Sequence, residues 1–192
     1  GANRYFDVPE GKILTVGSFA LGDDGTGLYD IYKTGAGRLV LPAADNTGYF
    51  VNLYVQGGVV QAAAEKNFGS GFINVSNSGL AFTGSVTQSQ TKRVTFSGTC
   101  VLDVATNADF TINTNSFWMQ NVTLYKRGAG RVILNENYGN TYGQMNGSHW
   151  IFESGTFYLN GGDVFGNHTS RSSVLLEFLE GTTFSTDRHL PL

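Results

Sequence analysis

The chain is poor in cysteine, in proline and in charge. Of its 192 residues one is cysteine, three are proline and 14% are charged, against about 25% charged in an average globular domain. The single thiol, Cys100, excludes an internal disulfide framework and any zinc or iron-sulfur site built from several cysteines. Its apolar neighbours Val101 and Leu102 mark it as a packed, inert group. Twelve basic and 15 acidic residues leave a net charge of -3 with neither sign clustered, so the electrostatic footprint of a nucleic-acid partner or an anionic membrane is missing. No apolar run reaches the roughly 18 residues of a membrane-spanning helix. Nor is there an apolar stripe of helical period long enough for any other confident helix.

The termini carry no address. Gly1-Ala2-Asn3-Arg4-Tyr5 lacks the charged-then-apolar pattern of a signal peptide, and Asp187 to Leu192 carries no targeting motif. The expectation is a segment of something longer.

What the sequence has instead is 41% hydrophobic residues and 26 glycines, with polarity supplied by uncharged Asn, Thr and Ser. That is enough apolar material for a sizeable core. It also has an internal repeat. Lys33-Thr34-Gly35-Ala36-Gly37-Arg38-Leu39-Val40-Leu41 returns as Lys126-Arg127-Gly128-Ala129-Gly130-Arg131-Val132-Ile133-Leu134, a shift of 93 residues (126 minus 33). Only Thr34 and Arg127 differ by more than an aliphatic exchange. Downstream, Leu53 to Val59 answers to Trp150 to Phe157, and Phe68-Gly69 to Phe165-Gly166. The repeat divides the chain into two related units, about 1–95 and 96–192, within a single domain spanning 1–192.

Inside each unit runs a shorter beat: an alternating apolar strand, a corner with Gly or Asn, and another strand. Val8 to Val16, Ile73 to Phe82, Val94 to Leu102 and Leu176 to Phe184 are examples. Period-two alternation with β-branched and aromatic residues predicts short strands. Hairpins would bring a tight turn every 8 to 12 residues or so, whereas this motif returns after about 20 to 25. The expected fold is all-β, a parallel β-helix in which each strand pairs with its equivalent about 4.8 Å above. Eight or nine rungs of about 22 residues would use the whole chain. Stacked side chains of one sign repel, which accounts for the low charge. Phe96, Phe110, Phe152, Phe157, Phe178 and Phe184 are expected mostly inside the cylinder.

The segment from Lys33 to Leu41 and its echo from Lys126 to Leu134 resemble the Lys-Thr-Gly-Ala-Gly-x-Leu-x-Leu signature of the autotransporter-associated β-strand repeat. Its Asn-Thr-Tyr-x-Gly link and Val-x-x-Gly-x-Leu strand are similar to Asp45-Asn46-Thr47-Gly48-Tyr49 with Val55 to Val59, and to Asn140-Thr141-Tyr142-Gly143 with Phe152 to Phe157. Arg127 departs from the family's Thr, and the second link is longer. The resemblance implies a right-handed β-helix on a bacterial surface or in secretions, outside the outer membrane, serving as a non-catalytic stalk or adhesive stretch of a longer passenger. The residues carrying the signature are Lys33, Gly35, Gly37, Lys126, Gly128 and Gly130.

Chemistry-bearing candidates are few. His149, His168 and His189 have no ligand spacing, and Asp23-Asp24-Gly25-Thr26-Gly27 lacks the alternating donors of a calcium loop. No metal or cofactor is expected. The rival reading is a polysaccharide-binding or polysaccharide-degrading β-helix, including a phage tailspike-like one. A glycosidase needs two carboxylates about 5 to 9.5 Å apart, and Glu153 and Glu177, with Glu180 close by, are the candidates. Outward aromatics could stack on sugar rings: Tyr54, Trp118, Tyr142 and Trp150 foremost, with Tyr49 and Tyr138. Sequons at Asn74, Asn121, Asn146 and Asn167 would matter only in a eukaryotic secretory host. Expected partners are surface glycans or other proteins, not nucleic acid. The open ends of a solenoid also predict end-to-end association, unless Arg4 to Pro9 or Asp187 to Leu192 forms a cap.

Overall fold

The computed structural model describes residues 3–16, 30–47, 51–88, 93–113, 117–119, 121–135, 145–160 and 174–187. Within them the chain winds through nineteen short strands. The first pass holds Arg4–Asp7 (β1) and Ile13–Thr15 (β2), and the second Asp30–Thr34 (β3) and Arg38–Val40 (β4). Next come Asn52–Val55 (β5), Val59–Ala62 (β6) and a 3-10 turn at Glu65–Phe68, then Ile73–Ser76 (β7), Gly79–Phe82 (β8) and Val86–Thr87 (β9). Two fuller passes hold Val94–Ser97 (β10), Thr99–Val104 (β11) and Asp109–Asn113 (β12), then Phe117–Trp118 (β13), Thr123–Arg127 (β14) and Arg131–Asn135 (β15). The last two hold His149–Phe152 (β16) with Thr156–Asn160 (β17), and Leu175–Phe178 (β18) with Thr183–Thr186 (β19).

These strands stack into three parallel sheets, the faces of a β-solenoid. The first face has six strands from β1 to β13, the middle face eight from β2 to β18, and the third five from β9 to β19. Register gives the length of each pass. Val59 lies on Gly79, a step of 20 residues, and Tyr125 on Ile151, a step of 26. The spread is taken up in the links between faces.

Alternation explains the core. In β3 the burial alternates so that Ile31 and Lys33 point in while Asp30, Tyr32 and Thr34 point out. Successive registers build one inward column through the whole middle face: Leu14, Leu39, Val60, Leu80, Leu102, Lys126, Phe152 and Phe178. Its six internal members are 0% exposed, each buried apolar side chain contributing about 1.5–3 kcal/mol. Its ends are open, Leu14 at 40% and Phe178 at 37%. Phe96, Phe110, Phe152 and Phe157 are buried as expected. Phe178 and Phe184 face inward over Phe152 and Phe157 but stay exposed, because the last pass has no strand above it among the described residues.

Outward ladders are neutral or paired, as stacking at rung spacing requires. Arg131 grips Asp109 on the pass below with two hydrogen bonds of 2.7 and 2.6 Å. Asn160 donates to Asn135 at 2.9 Å, and Arg38 to Gln61 at 2.6 Å.

Each described corner between the first and middle faces contains one residue of positive φ. In order these are Gly11, Gly35, Gly58, Asn77, Gly98, Asn121 and Gly147. The corners between the middle and third faces repeat the device with Asn107, Gly128, Gly155 and Gly181. Where Asn precedes Gly in the stack between the first and middle faces the two interlock. A Cβ on Gly98 would stand 2.2 Å from the Asn77 Oδ1, and one on Gly147 would stand 2.2 Å from the Asn121 Oδ1. The Asn77 amide oxygen also accepts from the Thr99 N–H at 3.1 Å. The asparagine thus fills the space that the glycine above it leaves.

Candidate functional site

The repeat signature folds into two near-identical corners, each with a lysine inside. Lys33 ends the inward row of β3, and its ammonium donates to the carbonyls of Thr34 (2.6 Å), Gly35 (2.7 Å) and Gly57 (3.0 Å). Lys126 ends the inward row of β14 and donates to the carbonyls of Gly128, Gly130 (2.6 Å) and Ser154 (2.9 Å). An ammonium has three protons, and each finds a carbonyl. Gly57 and Ser154 belong to the corner one pass further on, so each lysine ties its own bend to the next. Both side chains are 0% exposed.

The glycines are set by contact with the pass below. A Cβ on Gly35 would meet the Val8 carbonyl oxygen at 2.4 Å and the Asp7 carboxylate at 2.6 Å; one on Gly128 would meet the Val104 oxygen at 2.2 Å and the Asp103 carboxylate at 2.5 Å. Both sit near φ +70°, at +71° and +73°, where a side chain is strained regardless of space. A Cβ on Gly37 or Gly130 would press on two carbonyls of the preceding corner, Pro9 and Lys12 in one case, Ala105 and Ala108 in the other. Their N–H groups donate to Val8 at 2.8 Å and Val104 at 3.0 Å.

The two copies do not lie above one another. The first turns the chain from the six-stranded to the middle face, whereas the second turns it from the middle to the third face. The 93-residue shift is therefore four passes plus one face. It is the corner that repeats, with the strands flanking it, and not the whole coil.

Burial dominates the electrostatics of these lysines. Loss of water pushes Lys126 down from 10.5 to about 8, against the opposing pull of Asp103. Lys33 is also lowered by burial, opposed by Asp7. The two acids occupy matching places below the two corners. With every ammonium proton held by a carbonyl, neither lysine is presented to a ligand.

The other candidates lie elsewhere. Tyr54 faces outward and stacks on Tyr32 at 4.9 Å, which stacks on Tyr5 at 4.9 Å, with interplanar angles of 10° and 14°. These rings lie across the solenoid axis, with faces toward one another and edges toward solvent. Burial and neighbouring Asp30 raise the Tyr32 phenol. Trp118 also faces outward, under the Arg93 guanidinium at 4.1 Å from its ring centre. Trp150 is not a surface residue. It is 1% exposed and packs on Phe117, Phe152 and Phe157. Tyr142, Tyr49, Tyr138, His168, His189, the sequon at Asn167 and the Asp23 to Gly27 run lie outside the described residues.

The carboxylates are engaged by bases. Glu153 accepts from the Arg127 guanidinium at 2.5 and 3.4 Å, and Glu177 pairs with the His149 Nε2 at 2.9 Å. Glu177 aligns with Ile151, while Glu153 lies just past the end of β16, so the two are not vertical neighbours. Glu180 stands exposed on the last corner. Cys100 is buried, its thiol donating to the Ser97 carbonyl at 3.2 Å and raised by burial.

Composition and spacing did not foretell the inward lysines, because lysine is almost never fully buried without a partner. The signal was parity: Lys33 is two residues from Ile31, and Lys126 two from Leu124. The corner asparagines Asn77, Asn107 and Asn121 carried a similar signal in holding glycine positions. Comparison with family models, with curated proteins and with solved structures returned no match.

Proposed function

We propose that this chain is a non-catalytic structural or adhesive segment of a bacterial surface or secreted passenger of the autotransporter type. The observation that carries this reading is where the repeat signature spends its side chains. In both copies the lysine of the Lys-x-Gly-Ala-Gly motif serves corner closure. A motif used for that purpose serves to build length, and a solenoid grows by adding passes. Outside the outer membrane such a rod would hold a distal part away from the cell or meet glycans and proteins along its sides.

The polysaccharide-handling reading rests on Tyr54 and Trp118, two outward aromatics on the six-stranded face. Tyr54 has one ring face against Tyr32, and Trp118 has Arg93 over it, which reduces the open area for a sugar ring. Peptide mapping of the native polypeptide decides between the readings. Further Gly-Ala-Gly corners and a C-terminal barrel of about ten-residue alternating strands are expected of a passenger. A parent with neither, joined to lyase or glycosidase activity lost in Glu153→Gln or Glu177→Gln, would overturn the structural reading.

A further inference from the structure

The outward row of the six-stranded face carries tyrosine on three successive passes. Register sets Tyr5 under Tyr32 and Tyr32 under Tyr54, and the last two rings stack at 4.9 Å between centres with their planes 10° apart. Their spacing is fixed by the fold. β3 and β5 are both internal strands of that sheet, and beside the rings the Asn52 amide donates to the Asp30 carboxylate at 3.0 Å. Both residues are half-buried, with their ring edges toward solvent. The other described tyrosines have no ring above or below them: Tyr125 lies between Val101 and Ile151, and Tyr158 between Ile133 and Ser185. A phenol gives up an electron readily only when its proton has somewhere to go. Asp30 stands two residues from Tyr32 on the same outward row, and burial followed by that carboxylate holds the Tyr32 phenol above its ordinary value. The proton is therefore in place at neutral pH, with an acceptor beside it.

We propose that Tyr32 and Tyr54 form an oxidative cross-linking site, at which one-electron oxidants of the high-valent metal class join the two rings by a carbon–carbon bond. The oxidant takes one electron from each phenol, and each phenol proton passes to Asp30 or to water. The two phenoxyl radicals combine at carbons ortho to oxygen. Each of those carbons then gives up its hydrogen as a proton, and each oxygen takes a proton back. In sum two C–H bonds are broken and one C–C bond is formed, with two electrons delivered to the oxidant and two protons to solvent. Stacked rings reach the bonded arrangement by turning about χ2, a soft torsion for tyrosine, while the strands stay where they are. Radicals held in contact couple ahead of any that must first meet by diffusion. The bond spans 22 residues (54 minus 32) and ties one pass to the next, in a sequence whose single cysteine permits no internal disulfide. The site stands apart from the passenger reading, since it rests on a ring contact and not on the origin of the chain.

The test is oxidation of the dilute, folded chain by photo-excited ruthenium trisbipyridine with persulfate, followed by dityrosine fluorescence and mass spectrometry of proteolytic fragments. The unsubstituted chain should gain the fluorescence, lose two hydrogen atoms in mass while remaining a single chain, and release a linked peptide pair that joins Tyr32 to Tyr54. Tyr5→Phe and Tyr125→Phe should keep that link. Tyr32→Phe, which preserves a ring in the stack, should lose it. The same oxidation of the unsubstituted chain in concentrated urea should lower the yield of the Tyr32 to Tyr54 bond by about tenfold or more, because the rings are then no longer held together. Absence of dityrosine within the folded chain overturns the proposal. So does a bond that maps to other tyrosines, or a Tyr32 to Tyr54 yield that urea leaves unchanged, which would mean that the stack has no part in the coupling.

Discussion

Lys33 and Lys126 each hold three carbonyls at two different corners of one solenoid, the first between the six-stranded and middle faces, the second between the middle and third, with two acceptors matching (Gly35 with Gly128, Gly57 with Ser154) and the third differing (Thr34 against Gly130). Lys126 does so from within an otherwise apolar column, above Leu102 and below Phe152. Each clamps the carbonyls of two successive bends; those of Thr34, Gly130 and Gly128 also accept from the Val8 N–H, the Thr156 N–H and the Ser154 hydroxyl, so the ammonium is the added donor for Gly35 and Gly57 at one corner and for Ser154 at the other. The corner is therefore a self-contained part, defined by a lysine, two glycines and the acid on the pass below.

Replacing either lysine by methionine keeps the volume and removes the donors. Unsatisfied buried carbonyls cost about 1–3 kcal/mol each, partly offset by removing a buried charge. Lys33→Met, which strips two carbonyls of the lysine's donation, and Lys126→Met, which strips one, should lower the unfolding free energy by about 1–3 kcal/mol, measured by urea denaturation. Lys66→Met, whose exposed ammonium reaches Asp45 only at 3.9 Å, should change it by less than about 1 kcal/mol.

The pH dependence has a definite sign. Between about 8 and 10.5 the folded Lys126 has lost its proton while the unfolded lysine still holds one. The unfolded chain then binds more protons, so this group's contribution to stability rises with pH through that window and is constant below it. The melting temperature of the unsubstituted chain should gain on that of Lys126→Met from pH 8 to 10. A gap that narrows over that range would reverse the assignment.

Glycines of equal backbone conformation should differ in tolerance according to what lies beneath them. Gly181 has φ +83° and nothing within 4 Å of an added Cβ, whereas Gly128, at φ +73°, would press that carbon on the Val104 carbonyl oxygen at 2.2 Å. Gly181→Ala should cost about 1 kcal/mol from backbone strain alone, and Gly128→Ala about 3 kcal/mol or more. Thermal unfolding of the two variants side by side gives the difference.

Cys100 should be silent toward thiol reagents. The residue is 0% exposed, its Sγ hydrogen-bonded to Ser97 and its thiol raised by burial, and the thiolate is the reactive form. Labelling with a chromogenic disulfide at pH 8 should proceed only as fast as the chain unfolds, and go to completion at once in denaturant.

Much of this architecture is legible in the residues because a stacked solenoid obeys local rules. Alternation in Asp30 to Thr34 or Thr123 to Arg127 separates inside from outside, and glycine or asparagine marks each bend. Trp150 shows the error made when residue type is weighed above parity. It stands two positions from Phe152, so a strand that buries Phe152 buries Trp150 as well. The lysine clamps were hidden for a different reason: their acceptors come from residues up to 28 positions away and exist only once the passes are stacked. The offset of the two repeats by one face was hidden likewise, because a shift of 93 residues does not reveal how many residues each link absorbs.

The most direct measurement is side-chain nitrogen NMR of the protein labelled at its five lysines, Lys12, Lys33, Lys66, Lys92 and Lys126. If the signature lysines clamp the corners, two ammonium signals, those lost in Lys33→Met and Lys126→Met, will exchange slowly with water, and the Lys126 signal will titrate near pH 8. If all five exchange rapidly with water and the Lys126 signal titrates near 10.5, the lysines lie on the surface and the clamped corner is wrong.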